Sequence, residues 1–271
     1  MADKIFGTGA GETIPGTEAD DFIDARGGND TVFGGDGNDT LYGRAGDDSI
    51  GGGNGDDLIV GGDGLDTLNG NDDDDTIIGG DGADDISGGD GNDDISGDDG
   101  NDVIDAGDGD NTVTGGNGDD NITTGEGNDH ITTGVAGTGT GTETVVADAG
   151  DDTIDGSASA SVDVDAGDGD DIIYGSAGND TIEGGTDATD GGDDTVIISG
   201  EINDLADLTG NSTTADSNVA GADDLRNIET VQFDNVTIDL TSTADQDFTS
   251  SEDIVVADAE GTNSSNADFG D

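Results

Sequence analysis

The 271 residues include 68 acidic side chains and only four basic ones, which gives a formal net charge of -64 at pH 7. This charge excludes nucleic acids and anionic membrane surfaces as partners and favours cations. Only 28% of the residues are hydrophobic and 3% aromatic, too few for a conventional core, and the absence of cysteine excludes disulfides and thiolate metal sites.

Residues 1–6 precede the first repeat, and we expect them to form an N-terminal cap in which Ile5 and Phe6 cover the first coil. The opening MADKIFGTGAGE has no apolar run of signal-peptide length, and nothing later approaches a membrane span. Export, if it occurs, is therefore expected to use a route without an N-terminal leader.

A nine-residue repeat, seen as GGDGNDTLY at 34–42 and GGNGDDLIV at 52–60, fills residues 7–197. It runs without a gap to Thr132 and resumes after an insertion near 133–137. It then slips by one residue at Gly156 and skips a second insertion near 184–188. Twenty blocks result, and the residues of each block are numbered from position one to position nine.

Position eight is aliphatic in every block, and most of these residues are β-branched. One inward side chain every nine residues fits neither a helical stripe nor a two-residue alternation, but it fits a three-residue strand after a six-residue turn. Two such units make one coil of eighteen residues. Stacked coils predict an all-β solenoid with two parallel sheets.

Position six is aspartate in sixteen of the twenty blocks, the exceptions being Glu12, Asn111, Glu143 and Val162. Successive turns lie on opposite edges of the solenoid, so these carboxylates form two rows. At a spacing of about 5 Å they repel by about 1 kcal/mol per pair in water and about 3 kcal/mol at an effective dielectric near 20. Such rows need counterions. The aspartates are Asp21, Asp30, Asp39, Asp48, Asp57, Asp66, Asp75, Asp84, Asp93, Asp102, Asp120, Asp129, Asp152, Asp171, Asp180 and Asp194.

Glycine dominates position four and is frequent at positions one and two, where it permits positive φ angles that turn backbone carbonyls toward a common point. Carbonyl and carboxylate oxygens, with no cysteine and His130 at an outward position, form a hard donor set. Such a set suits calcium and suits zinc or copper poorly. Magnesium is less favoured because it demands a tight octahedron and gives up water reluctantly.

These blocks resemble the nonapeptide G-G-x-G-x-D-x-U-x of the RTX (repeats-in-toxin) family, also called the haemolysin-type calcium-binding repeat. The resemblance implies a right-handed parallel β-roll that binds on the order of ten or more calcium ions. Each ion would lie between two turns of one edge. Asp39 and Asp57 would share an ion with carbonyls near Gly35, Gly37, Gly53 and Gly55. The corresponding glycines of other blocks are Gly62, Gly64, Gly80, Gly82, Gly89, Gly91, Gly116 and Gly118.

Three departures from this pattern predict weak sites: Asn111, Asp73 in place of a loop glycine, and the block SASASVDVD at 157–165. Without calcium, low hydrophobicity and extreme charge predict a disordered chain.

The repeat ends near residue 197, and residues 198–240 are predicted to form a C-terminal capping region. EINDLADLTG suggests a short helix there, and LRNIETVQFDNVTIDL suggests strands around Asn235. The acidic tail at 241–271 is similar to the uncleaved type I secretion signals of RTX proteins. It is equally compatible with a disordered acidic tail.

No catalytic motif such as H-E-x-x-H or G-x-S-x-G occurs, and twelve-residue EF-hand loops are missing, so we expect no enzyme. The resemblance implies a secreted calcium-binding structural protein, extracellular or at the surface of a Gram-negative bacterium. The alternative is a self-assembling subunit of a surface layer, biofilm matrix or filament. Ice binding is disfavoured because position three reads Asp36, Ala45, Asn54, Asp63 and Asp72, which is no threonine array.

Overall fold

The computed structural model describes residues 4–134, 141–176, 178, 180–185, 194–197, 213–217, 220–226, 230–232, 236–239 and 255–258. Every element in this part of the chain is a β-strand. Within the same ranges, no helix is long and apolar enough to cross a bilayer.

The strands follow one another at short, regular intervals because each nine-residue block contributes one strand. They are β1 (Lys4–Phe6), β2 (Thr13–Pro15), β3 (Phe22–Asp24), β4 (Thr31–Asp36), β5 (Thr40–Ala45), β6 (Ser49–Asn54), β7 (Leu58–Asp63), β8 (Thr67–Asp72), β9 (Thr76–Asp81), β10 (Asp85–Asp90), β11 (Asp94–Asp99), β12 (Val103–Asp108), β13 (Thr112–Asn117), β14 (Asn121–Thr123), β15 (His130–Gly134), β16 (Thr142–Val146), β17 (Thr153–Asp155), β18 (Ser161–Asp165), β19 (Ile172–Tyr174), β20 (Thr181–Glu183), β21 (Thr195–Ile197), β22 (Thr213–Ser217), β23 (Ala220–Arg226), β24 (Thr230–Gln232), β25 (Val236–Asp239) and β26 (Val255–Asp258).

Two sheets form a parallel β-solenoid, as predicted. Odd-numbered strands from β1 to β21 make one sheet, continued by β24, β25 and β26, and even-numbered strands from β2 to β20 make the other, continued by β23 and β22. Each repeat strand pairs in parallel with the strand one coil away, for example Ile59 opposite Ile77. Strands of one coil therefore find their hydrogen-bond partners only in the neighbouring coils.

The core is a double column of the position-eight side chains, all of which are buried. This confirms the sequence prediction for each member of the column. The side chains are Ile14, Ile23, Val32, Leu41, Ile50, Ile59, Leu68, Ile77, Ile86, Ile95, Ile104, Val113, Ile122, Ile131, Val145, Ile154, Val164, Ile173, Ile182 and Val196.

The strands from β4 to β13 are six residues long, so the expected length of three was wrong for this stretch. In β4, pairing with β6 continues past the core residue, with Gly35 opposite Gly53 and Asp36 opposite Asn54. Position one faces inward beside position eight, because side chains alternate along a strand. The turn itself is correspondingly short.

The pairing of core residues continues across both insertions and the one-residue slip, with Ile173 opposite Val196 at the second insertion. Ile131 pairs with Ile154, 23 residues later, and Ile154 with Ile173, 19 residues later. The aliphatic column stays in register because a shifted strand would turn its core side chain outward. Residues 135–140 and 186–193, next to or within the predicted insertions, lie outside the described ranges.

In the C-terminal region, β23 and β24 extend the two sheets in parallel, with Ile182 opposite Leu225 and Val196 opposite Val231. The strands β22, β25 and β26 then add in antiparallel fashion, which ends the parallel stack. The predicted helix and most of the predicted tail lie outside the described residues, and the proposed domain limits stay predictions.

At the other end, Ile5 packs against the core while Phe6 faces outward and is 52% exposed, so Phe6 does not cover the coil as expected. Its ring lies 6.0 Å from that of Phe22, which in turn lies 5.7 Å from Tyr42. The Arg44 guanidinium stacks 4.3 Å above the Tyr42 ring. Aromatic and cationic side chains thus pack along the outer face of the first coils.

Adjacent isoleucines in β9 allow a matched test of this core. Ile77 is fully buried and Ile78 faces outward. We expect Ile77→Ala to destabilise the calcium-loaded protein by about 2–5 kcal/mol, because it leaves a cavity in the column, and Ile78→Ala to cost much less. Denaturant unfolding of both variants in excess calcium measures the difference. Equal losses would contradict the inward and outward assignment.

Candidate metal centre

The position-six aspartates line the two edges of the solenoid, and all sixteen are buried, with at most 4% of their surface exposed. Side chains alternate between the inside and the outside of the roll along each block. Positions six and eight therefore both face inward, and position seven between them faces out. Burial of so many carboxyl groups against an aliphatic column is costly unless each is neutralised or hydrogen-bonded.

From Asp30 onward, one oxygen of each position-six aspartate accepts a backbone N–H from the preceding turn of the same edge. Asp57 Oδ1 accepts the backbone N–H of Asp39 at 2.7 Å, and Asp75 Oδ1 accepts that of Asp57 at 2.8 Å. Asn111 Oδ1 and Glu143 Oε2 take the same role toward Asp93 and Asp120. The position-six residues therefore form a hydrogen-bonded ladder along each edge, which Asn111 and Glu143 continue and Val162, without an acceptor, interrupts.

The second oxygen behaves differently in most turns. It is buried and has no hydrogen-bond donor within reach, although a carboxylate oxygen of this kind normally has at least one. This combination marks the places where a cation, and not a donor of the protein, would satisfy the oxygen. It holds for Oδ2 of Asp30, Asp39, Asp48, Asp57, Asp66, Asp75, Asp84, Asp93, Asp102, Asp120, Asp129 and Asp152.

The space beside this oxygen is lined by backbone carbonyls. A Cβ built on Gly79 would lie 2.6 Å from Asp84 Oδ2 and 2.7 Å from the carbonyl oxygen of Gly97, so both oxygens face the volume that glycine leaves open. The same arrangement recurs at the position-one glycines, which the sequence prediction did not include among the site residues. The sequence feature that could have identified them is the frequent glycine at position one, which faces inward. They are Gly34, Gly43, Gly52, Gly61, Gly70, Gly79, Gly88, Gly97 and Gly115.

Asn111 shows what this space requires. Its side-chain amide takes the place of the second carboxylate oxygen and donates to the carbonyl oxygens of Gly107 at 3.3 Å and Thr124 at 3.4 Å. The amide N–H groups thus supply positive charge to a site surrounded by acceptors. With aspartate in the same place, only acceptors remain, and a cation fits them.

The predicted loop glycines have the backbone conformation expected of them. At Gly53 and Gly55, which stand for positions two and four, φ is 128° and 111°. All twelve glycines predicted as carbonyl donors have positive φ. Asp73 adopts φ 79° in place of a glycine, so that turn keeps its shape at the cost of some backbone strain. The block at 157–165 buries Val162 where the others bury a carboxylate.

The carboxylates do not converge on one another: within the described ranges, no three acidic or histidine side chains come together as a metal site. Any bound ion must therefore take much of its coordination from carbonyls. An oxygen donor set of carboxylates and carbonyls fits calcium, which accepts six to eight such ligands in flexible geometry.

The fold and this donor set define a parallel β-solenoid with repeated oxygen-only cation sites at its edges. The RTX calcium-binding nonapeptide repeat, in units of four copies, matches residues 6–41, 15–50, 25–59, 33–68, 51–86, 60–95, 96–131, 137–160 and 163–189. These matches cover more than half of the chain, and the chain belongs to this family.

The comparison with curated proteins found no match. Among solved structures, the fold is similar to that of a hyperactive, Ca2+-dependent, beta-helical antifreeze protein from an Antarctic bacterium. The two chains are 21% identical, the TM-score is 0.54, and the similarity covers 89% of this chain and 84% of the other. At this identity, the likeness shows the fold alone.

Burial controls the protonation of the bare carboxylates. Desolvation raises the pKa of Asp57 and Asp75 from the ordinary 3.8 to about 7; the backbone hydrogen bond that each accepts opposes the rise, and neighbouring carboxylates add to it. The pKa of Asp66 and Asp129 rises to about 6, again chiefly through desolvation. In the absence of a cation, a proton is the alternative way to neutralise these groups.

These shifts predict how the ion-free chain depends on pH. Because the raised pKa values let the folded state hold more protons than the unfolded state between about pH 4 and 7, its stability is greatest at the acidic end and falls as pH rises through about 7.

In a chelator we therefore expect far-UV circular dichroism to show more β-structure at pH 5 than at pH 8. The control is a pair of double variants with equal net charge, Asp57→Asn/Asp75→Asn and Asp56→Asn/Asp74→Asn. The first pair removes buried groups and should weaken the pH dependence. Identical profiles for both pairs would contradict the assignment to the buried row.

Proposed function

We propose that this protein is a calcium-dependent structural protein whose roll is closed by rows of bound ions along its two edges. The observation that carries this proposal is the set of twelve buried carboxylate oxygens without a donor, each in a turn of the calcium-binding repeat. The ligands would be the position-six aspartates together with carbonyls of the glycine-rich turns. Because each ion would lie between two turns of one edge, the expected number of ten or more ions stays a prediction.

The ions would also drive folding. The core is only two columns of aliphatic side chains, one from each sheet, and neighbouring carboxylates within each acidic row repel one another when no cation lies between them. A site built from two successive turns of one edge exists only when the coils are stacked, so binding and folding are coupled. Millimolar calcium outside cells suits modules with dissociation constants of about 0.1–1 mM.

This coupling supports an extracellular or cell-surface location, reached by type I secretion of an unfolded chain that closes on meeting calcium. Residues 241–271 are the segment that we propose as the secretion signal. The role is structural and not catalytic, because the recurring carboxylates are buried ligands for cations and no H-E-x-x-H or G-x-S-x-G motif accompanies them.

Calcium titration tests the proposal. Starting from chelated protein at pH 7.5, we expect circular dichroism to change cooperatively from a coil to a β-sheet spectrum as calcium reaches about 0.1–1 mM. Magnesium at equal concentration should do much less, because it resists losing water and demands a tight octahedron. A β-sheet spectrum that is the same with and without calcium would overturn the proposal.

Self-assembly into a surface layer, matrix or filament is the second candidate. The strands β1 and β2 are the terminal strands of the two described sheets at the N-terminal end, and a terminal strand can pair with another chain. Stacking of one roll on the next would continue both sheets.

Sedimentation velocity separates the two candidates. In calcium, a discrete monomer favours the single structural protein, whereas large species that dissolve in chelator favour the assembling subunit. Gly7 donates its N–H to Asp24 at the end of β3, so alternation along β1 turns the N–H of the exposed Phe6 toward the free edge, and Phe6→Pro should reduce assembly.

Antifreeze activity, named for the structurally similar protein, is not proposed for this chain. On one edge, position three carries Asp36, Asn54, Asp72 and Asp90 in register, and the Asn54 amide donates to Asp36 at 2.9 Å. A ladder of charged groups replaces the flat threonine array that ice binding would need.

A further inference from the structure

In three turns, a side chain and the backbone N–H of the same residue donate hydrogen bonds to the position-six carboxylate. Each has a hydroxyl residue at position two. Thr17 donates both its backbone N–H and its Oγ1 to Asp21 Oδ2, at 2.8 Å in each case. In the turn at 7–12, Thr8 donates its N–H to Glu12 Oε2 at 2.9 Å and its Oγ1 to Oε1 at 2.8 Å.

The third turn, which contains Ser176 and Asp180, has the same hydrogen-bond pattern although it lies far along the chain. Ser176 donates its N–H to Asp180 Oδ2 at 2.8 Å and its Oγ to Asp180 Oδ1 at 2.5 Å. The Oδ1 atom also accepts the N–H of Val162 at 3.0 Å. Both oxygens of this carboxylate are thus satisfied within the protein.

Replacement of the position-two glycine is not enough to produce these hydrogen bonds to the carboxylate. Arg44 and Asn71 also replace the glycine of position two, yet they keep the positive φ of the ordinary turn, at 85° and 86°. The second oxygen of their partners, Asp48 and Asp75, has no hydrogen-bond donor. The hydroxyl residues are not among the described residues with positive φ. The backbone N–H groups of Thr8, Thr17 and Ser176 therefore point to the carboxylate. No such bond forms in the turns of Arg44 and Asn71, where position two has a positive φ.

The position of the capped turns in the roll suggests a reason for them. Thr8 and Thr17 belong to the first turn on each of the two edges, and Ser176 lies near the last described coils. An ion between two turns needs a turn on either side of it. A turn at the end of a row has a neighbouring repeat turn on one side only. Hydrogen bonds from its own position-two residue can satisfy its carboxylate without an ion.

We propose that Thr8, Thr17 and Ser176 take the place of calcium in their turns, so that the end coils of the roll close without a bound ion. The inference rests on the proposed function and refines it, because it removes Asp21 and Asp180 from the predicted calcium ligands. The hydroxyl and amide donors supply there the positive charge that a cation supplies at Asp57.

Native mass spectrometry of the full chain in calcium counts bound ions as integers and tests the assignment. We expect Asp57→Asn to lose at least one ion, whereas Asp21→Asn and Asp180→Asn keep the number of the unmodified protein. Ser176→Thr retains the hydroxyl and should likewise leave the count unchanged.

A second readout guards against variants that fold poorly. Ser176→Ala removes only the hydroxyl, so its melting temperature in saturating calcium should fall by about 2–4 °C, and further calcium should not restore it.

A loss of ions from Asp21→Asn or Asp180→Asn equal to that from Asp57→Asn overturns the inference while leaving the proposed function intact. A chain that binds no calcium at all would overturn both.

Discussion

The structure depends on how a buried carboxylate is neutralised. One oxygen of most position-six side chains accepts a backbone N–H from the preceding turn of the edge, and this bond helps to set the vertical spacing of the coils. The other oxygen lies among carbonyls, where only a donor or a cation is stable. The same carboxylates hold neighbouring coils together through one oxygen and leave the other oxygen in need of a cation. Coil stacking and the proposed ion binding are therefore coupled.

The aliphatic column and the acidic rows reinforce each other because they have the same period. A strand that slipped by one residue would expose its core side chain and also remove its carboxylate from the row. This explains why 23- and 19-residue steps leave Ile131, Ile154 and Ile173 in register.

The departures from the repeat show three ways to satisfy the same space. A cation would satisfy the ordinary turns, whereas the amide of Asn111 satisfies one interior turn, and a hydroxyl together with its own N–H satisfies the turns of Thr17 and Ser176. The two side-chain solutions place hydrogen-bond donors among acceptors that otherwise have none. On the proposal made above, the ion-dependent turns lie mainly in the interior of the roll and the hydrogen-bonded turns toward its ends.

The sequence by itself determined the solenoid, its two parallel sheets, the buried column and the placement of carboxylates along both edges, because each depends only on a nine-residue period. Tertiary structure decided what one block cannot show: the six-residue strands, the inward face of glycines such as Gly79, the outward turn of Phe6, and the difference between Asp21 and Asp57. The physical reason is that these features arise between coils or from backbone φ angles, where a carboxylate meets partners eighteen residues away.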